Sequence, residues 1–256
     1  MAFTDEIKDL FENGHHTYLR NVSVDCIIFG FHGSELKVLL LKANYTEGWA
    51  LPGGFIKLNE DMAASAHRIL KQRTNLSDIF LQQFGVFGDA NRATQKMNKK
   101  ILRKYGIQSE SSWLFERFIT VGYYALVDFE KVDPSSDEFS TSCEWFNVYN
   151  LPPLMMDHAN LVQEALAYLR MQLNYHPIGH KLLPEKFTMP ELQKLYEAIL
   201  GRKLDRRNFQ RKILGVGILK RLEERKEGVA HKSPYYYKFD LRKYQRAAQS
   251  GLGFQL

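Results

Sequence analysis

The sequence predicts an α+β fold in two parts: a mixed β-sheet flanked by helices, followed by a smaller basic unit of helices and a pair of strands. Three observations predict it. Apolar runs of strand length and a helix-period stretch follow one another through the larger, N-terminal part of the chain. Pro and Gly then punctuate an extended stretch, Asn174-Tyr-His-Pro177-Ile-Gly179-His-Lys-Leu-Leu-Pro184. Charge divides at the same place: residues 1–175 hold 17 Lys+Arg and 21 Asp+Glu, a net of −4, whereas residues 176–256 hold 18 and 8, a net of +10. Such a division directs the C-terminal part toward a polyanion.

A chain of 256 residues with 45% hydrophobic and 13% aromatic content has apolar material for one large or two modest cores. Its longest apolar runs are too short to span a bilayer, and Met-Ala-Phe-Thr-Asp-Glu is neither a basic nor an apolar start. Cytoplasmic residence without membrane association is therefore expected. Cys26 and Cys143 lack metal-ligand or CxxC spacing and read as two reduced thiols in or near the core.

The elements follow in order. Residues 1–19 read as an N-terminal helical segment ahead of a first domain over 20–174. The run Cys26-Ile27-Ile28-Phe29-Gly30-Phe31, a turn at His32-Gly33 and the run Val38-Leu39-Leu40-Leu41 read as a hairpin. Trp49-Ala-Leu-Pro-Gly-Gly54 leads toward a helix, Phe118–Phe129 reads as a further strand, and Trp145-Phe146-Asn147 precedes Leu151-Pro152-Pro153-Leu154 and a helix from about Asn160.

Within this frame, Gly54, five residues, Glu60, seven residues, then Arg68-Ile69-Leu70-Lys71-Gln72-Arg73-Thr74-Asn75-Leu76 resembles a Nudix box whose acidic half is gone. Ile69, Gln72 and Arg73 stand where the box has glutamates, and offsets of three and four place them on one helix face. In a Nudix enzyme the resemblance implies that this face gathers carboxylates around Mg²⁺ or Mn²⁺, hard cations that take oxygen ligands. An aliphatic, an amide and a cation do not, and Arg73 repels a metal. No catalytic residue, no metal and no cofactor is expected here, while Glu60 and Arg68 read as a retained scaffold.

The second domain, 175–256, opens with Phe187-Thr188-Met189-Pro190-Glu191, a helix start with Thr188 as N-cap. Leu192, Leu195, Tyr196 and Ile199 form its apolar stripe and Gly201 ends it. A second helix from Asp205 carries Arg206, Arg207, Asn208, Arg211 and Lys212 against Phe209, Ile213 and Leu214. Two helices across a short Gly-containing turn fit helix-turn-helix geometry. Ile218-Leu219-Lys220-Arg221-Leu222 and Tyr235-Tyr236-Tyr237-Lys238-Phe239 add two strands around a polar loop, which makes a winged helix. Arg207, Asn208 and Arg211 suit base edges, Lys232 and Ser233 of the wing suit phosphates or the minor groove, and Arg206 and Lys212 complete the candidate DNA-binding set. Tyr235 to Tyr237 alternate and read as packing.

The combination resembles the Nudix-related transcriptional regulators of the NrtR and AraR group from about Tyr18 to Phe239. Leu51-Pro-Gly-Gly-Phe55, Phe84-Gly-Val-Phe-Gly88, Leu151-Pro-Pro-Leu-Met-Met-Asp-His158, Phe187-Thr-Met-Pro-Glu-Leu-Gln193 and Arg207-Asn-Phe-Gln-Arg-Lys212 carry the likeness. It implies a catalytically inactive Nudix domain that senses a small-molecule effector, and a homodimer on a near-palindromic double-stranded DNA operator. Within the group, the lost acidic residues and Val24–Phe31 are closer to the sugar-responsive branch, so a pentose such as L-arabinose is the preferred effector. Lys42, Phe55, Asp89, Arg92, Arg117, Asp157 and His158, at strand ends and on loops, are the candidate effector residues. A departure lies at 93–115, where Lys96, Lys99, Lys100, Arg103 and Lys104 around Met97, Ile101, Leu102 and Tyr105 predict an inserted amphipathic helix. Two other readings stand beside this one: a hydrolase of a nucleoside diphosphate derivative such as ADP-ribose, with metal ligands outside the box at Glu110 or Glu116, and a protein-interaction adaptor.

Overall fold

The structure is a computed structural model that describes residues 3–44, 48–77, 79–92, 112–173, 179–228, 233–243 and 246. The chain forms two compact units, one of Met1–Phe29, Lys37–Ala125 and Val132–Ala165, the other of Gly30–Leu36, Leu126–Lys131 and Leu166–Leu256. Among the described residues no helix is long and apolar enough to cross a membrane.

The first unit holds most of a seven-stranded mixed sheet. Its strands are β1 (Tyr18–His32), β2 (Glu35–Ala43), β3 (Trp49–Ala50), β4 (Gly53–Lys57), β5 (Gln82–Phe87), β6 (Ile119–Val127) and β7 (Ser140–Asn147). They run in the order β3-β2-β1-β6-β5, with β4 also paired to β1 and β7 to β2. Val24 to Gly30 of β1 are buried without alternation, as a central strand covered on both faces requires. The hairpin turns one residue later than the expected His32-Gly33, through Gly33 and Ser34 at φ 59° and 75°. Left-handed residues at both central positions give the turn a twist that matches its strands.

Helix α1 (Phe3–Asn13) precedes the sheet, and Ile7 and Phe11 are its buried side chains. Its last turn is held by Ser112 Oγ and Trp113 Nε1, which donate to the carbonyls of Phe11 and Leu10 at 2.7 and 2.9 Å. Helix α2 (Met62–Thr74) carries the box and buries Ser65, Ala66, Ile69 and Leu70. It ends at Asn75, where the Nudix pattern has Gly; Asn75 takes the left-handed conformation, φ 57°, that the position needs. Helix α3 (His158–Gln172) starts two residues before the expected Asn160. The expected strand over Phe118–Phe129 is shorter at both ends, because Phe129 already belongs to a 3-10 turn with Glu130 and Lys131. Most of the helix expected within 93–115, and with it Glu110, lies outside the described residues. Residues Trp113–Phe115 form a 3-10 turn.

The second unit contains the short helix α4 (Gly179–Leu182), strand β8 (Phe187–Thr188), helices α5 (Met189–Leu200) and α6 (Arg206–Gly215), and strands β9 (Leu219–Arg225) and β10 (Tyr235–Phe239). The strands pair in the order β8-β10-β9. Thr188 and Glu191 make the reciprocal capping box that the sequence predicts, and Gly201 ends α5 at φ 70°. Glu197 and Gln193 fix the inter-helix turn by accepting the Leu204 N–H and donating to the Leu204 carbonyl, both at 2.9 Å. Leu192, Leu195, Tyr196, Ile199, Phe209 and Ile213 are fully or almost fully buried. Leu214 is not part of this core; it is 39% exposed on the far side of α6.

Thr188→Ala removes the cap of a buried helix start, and an expected loss of about 1 kcal/mol in stability is checked by chemical denaturation followed by circular dichroism.

Candidate functional site

The most constrained polar group in the first unit is Asp25, a single carboxylate inside the otherwise apolar core of β1 and only 6% exposed. Its Oδ2 accepts from Thr120 Oγ1 at 2.7 Å and from Arg92 Nη2 at 3.2 Å. Arg92 in turn donates from Nε to Asp157 at 2.9 Å, and its Nη1 reaches the Phe87 carbonyl at 3.4 Å. His158 Nδ1 accepts the Leu51 N–H at 3.0 Å, so the ring proton sits on Nε2, 3.9 Å from Asp25 Oδ1. Burial pushes the His158 pKa below 6.5, the nearby Asp25 opposing this, so the ring is neutral at physiological pH.

This network ties β1, β6, the loop after β5, the Trp49–Gly54 segment and the start of α3 to one another. It also explains Gly53: a Cβ there would lie 2.2 Å from Asp25 Oδ1. Three sequence-predicted candidates, Arg92, Asp157 and His158, are therefore brought together around a fourth residue that sequence reasoning missed. A lone Asp in a continuous apolar strand was the signal for it, since a buried carboxylate needs partners.

The box helix presents a second arrangement. Arg68 grips Glu60 with Nε and Nη2 at 2.7 Å each and also donates to the Phe55 carbonyl at 2.8 Å. The hydrogen bonds from Arg68 hold the Glu60 carboxyl below the usual range. The three positions that carry glutamate in the Nudix pattern are otherwise engaged. Ile69 is buried against Gly54, Gln72 accepts from Arg68 Nη1 at 2.9 Å, and Arg73 pairs with Asp137 at 2.6 Å. A hard divalent cation does not fit this donor set. Among the described residues, no three His, Cys, Asp or Glu side chains are placed to hold a metal. Glu116, the alternative ligand outside the box, pairs with Arg20. Burial pushes up the Cys26 thiol, and that of Cys143 to about 12, so neither is a ready nucleophile.

The remaining effector candidates lie elsewhere on the first unit. Lys42 sits over the Trp49 ring at 5.5 Å. Phe55 packs among Tyr18, Trp113 and Phe118 with ring centroids 5.0 to 5.9 Å away. Asp89 is exposed and accepts the Asn91 N–H, and exposed Arg117 donates to the Gly88 carbonyl beside it.

In the second unit, α6 presents Arg206, Arg207 and Arg211 to solvent, with Asn208 and Lys212 half-buried. Asp205 caps the helix through the Asn208 N–H at 2.8 Å, and Asn208 Oδ1 accepts from Arg211 at 2.8 Å. Ser233 lies just before β10, where its carbonyl accepts from Arg225 at 3.1 Å; Lys232 is outside the described residues. An exposed cationic helix on a capped, apolar-cored pair of helices, with a three-stranded sheet beside it in sequence, is the arrangement of a winged helix.

Comparison with known proteins agrees with both halves. Residues 19–165 match the NUDIX domain and residues 179–239 the NrtR DNA-binding winged helix domain. The chain is 32% identical over 231 residues to the ADPR responsive transcriptional repressor NtrR of Acinetobacter baylyi, an alignment covering 87% of this chain and 83% of that one. It belongs to the NrtR group of Nudix-related transcriptional regulators. The fold is shared with Shewanella oneidensis NrtR, crystallised with a 27mer DNA, at a TM-score of 0.67 and 22% identity over 92% of this chain and 98% of that one. A MutT/nudix family protein from Enterococcus faecalis has it too, at a TM-score of 0.63 and 19% identity over 94% and 100% of the two chains. The preference for a pentose effector finds no support: the 32% identical relative is responsive to ADPR, and the apolar strand Val24–Phe31 that favoured a sugar is core packing around Asp25.

Two outcomes follow from the buried network. Gly53→Ala is expected to destabilise the first unit by about 2 kcal/mol, because the new methyl displaces a carboxylate that has no room to move; thermal unfolding measures it. The folded-state pKa of His158 lies below its unfolded value of 6.5, so stability is unaffected well above that value and declines as pH falls through it, the unfolded chain taking up the proton first. His158→Asn, which keeps an acceptor for Leu51 but does not titrate, is expected to flatten this part of the stability profile when denaturation midpoints are compared between about pH 5 and 8.

Proposed function

We propose that this NrtR-group regulator is a repressor whose Nudix domain, residues 20–174, senses ADP-ribose and whose winged helix, residues 175–256, holds DNA. The observation that carries the reading is the 32% identity to an ADPR responsive repressor, which extends over 87% of the chain and so runs through both domains. The geometry supports it from two sides. The box face is occupied by Ile69, Gln72 and an Arg73 paired with Asp137, which suits retention of a diphosphate ligand better than its hydrolysis. The second unit keeps an exposed cationic helix surface on a fold whose capping and core are fully formed.

ADP-ribose offers a diphosphate, two riboses and an adenine. Arg117 and Lys42 supply cations for the diphosphate, Asp89 accepts ribose hydroxyls, and Phe55 provides an aromatic face. The buried set of Arg92, Asp157 and His158 holds the end of β5, just before Asp89, and the segment that leads to Phe55. The protein acts as a homodimer on a near-palindromic operator, each α6 entering a half-site, with Arg207, Asn208 and Arg211 toward bases and Arg206, Lys212, Lys232 and Ser233 toward the backbone. Effector binding favours one of two arrangements of the dimer and releases DNA only to the extent that it binds that arrangement better.

Fluorescence anisotropy on an operator duplex tests the reading. ADP-ribose is expected to release the duplex while L-arabinose does not, and ADP-ribose is expected to survive incubation with protein and Mg²⁺. An operator complex indifferent to ADP-ribose overturns the sensor assignment, and phosphate-bond cleavage restores the hydrolase. Arg207→Ala is expected to weaken operator binding by about 1–3 kcal/mol and to relax preference at one base pair; unaltered affinity rejects its role.

A further inference from the structure

The cations of the second unit fall into two groups. Lys186 pairs with Glu224 at 2.8 Å, Lys203 with Glu197 at 3.0 Å and Lys226 with Glu191 at 2.6 Å, so three lysines are neutralised within the fold. Arg221 and Arg225 of β9 are not: among the described residues neither pairs with a carboxylate. Both lie over a single aromatic ring. The Arg225 guanidinium is 3.9 Å and that of Arg221 4.7 Å from the centroid of Tyr235.

Two like charges gathered on one ring cost repulsion, which the ring quadrupole offsets only in part. The two arginines are not equivalent. Arg225 donates to the Ser233 carbonyl at 3.1 Å and to the Tyr235 hydroxyl, and Tyr235 stands opposite it in the β9–β10 register. It braces the ring against the strand and fixes the end of the wing. Arg221, four residues before Arg225 on β9, is exposed and donates to no protein acceptor among the described residues. Among the described residues its planar fork keeps all its N–H donors while the ring below restricts its rotamers, which lowers the entropy lost when an anion is bound.

We infer that Arg221 is a DNA-backbone ligand of the wing, contacting a phosphate, and that Tyr235, held by Arg225, is the positioning residue that aims it. The inference rests on the DNA-binding reading above and adds a sequence-independent anchor to the base-reading surface of α6. A planar guanidinium matches the fork of two phosphate oxygens, and a phosphate contact contributes to affinity without selecting sequence.

The test is the salt dependence of binding to two duplexes, one selected from a random pool by the native protein and one scrambled. Arg221→Gln is expected to weaken both equally and to lower the slope of log K against log salt by about 0.9, the release of one phosphate's counterion. Tyr235→Leu is expected to lower the slope in the same way with the net charge unchanged, whereas Tyr235→Phe keeps the ring and the native slope. A merely structural role for Tyr235 changes stability, read separately by thermal unfolding, and leaves the slope alone. If the native protein binds the selected duplex but Arg221→Gln keeps its slope, the wing assignment is overturned and the regulator reading stands. If the native protein selects no duplex, both fall.

Discussion

Asp25 has to be satisfied before the first unit can exist in this form. A carboxylate inside the buried run of β1 is tolerated only with charge and hydrogen bonds to meet it, and Arg92, Thr120 and the Nε2 side of His158 meet it from three different elements. Two of these partners carry a further obligation: Arg92 binds Asp157 and the end of β5, and His158 holds the backbone of Leu51. Through these links one buried charge sets where the Trp49–Gly54 segment lies, where α3 begins and why residue 53 has no side chain. Truncating one member leaves the others buried and unpaired, which makes the set act as a unit.

The same economy governs the box helix. Arg68, Glu60 and the Phe55 carbonyl form a closed clamp that fixes the loop before α2, whatever stands at positions 69, 72 and 73. With the clamp kept, the positions that elsewhere serve a metal are free to become packing at Ile69, an amide partner for Arg68 at Gln72, and an ion pair at Arg73. Structural and chemical halves of one motif are thus separable. In the second unit a comparable division runs through the basic residues: lysines pair with Glu191, Glu197 and Glu224, whereas Arg206, Arg207 and Arg211 of α6 and Arg221 and Arg225 of β9 are exposed and, among the described residues, pair with no carboxylate.

Local signals were legible where they concern neighbours in sequence. The capping box at Thr188 and Glu191, the stop at Gly201, the Asp205 start of α6 and the limits of β10 follow from residues within one or two turns of each other. The hairpin and the helix after Leu154 were read with errors of a residue or two, since frayed ends depend on hydrogen bonds that periodicity does not report. Apolar character puts Leu214 with the core but cannot distinguish the two sides of a short helix; its neighbour Ile213 takes the buried position.

Spacing along one chain decides which side chains share a face, and it was enough for the two-part organisation, the lost carboxylates of the box, the retained Glu60 and Arg68, and the cationic character of α6. The preference for a pentose effector, drawn from a resemblance in an apolar strand, finds no support in the relative that responds to ADPR. Only the tertiary structure decided that Arg92, Asp157 and His158 meet at Asp25, that Arg73 is neutralised by Asp137, and that Arg221 and Arg225 share Tyr235. Those contacts join residues from 10 to 133 positions apart, and they depend on partners that come within reach only once the sheets and helices have formed.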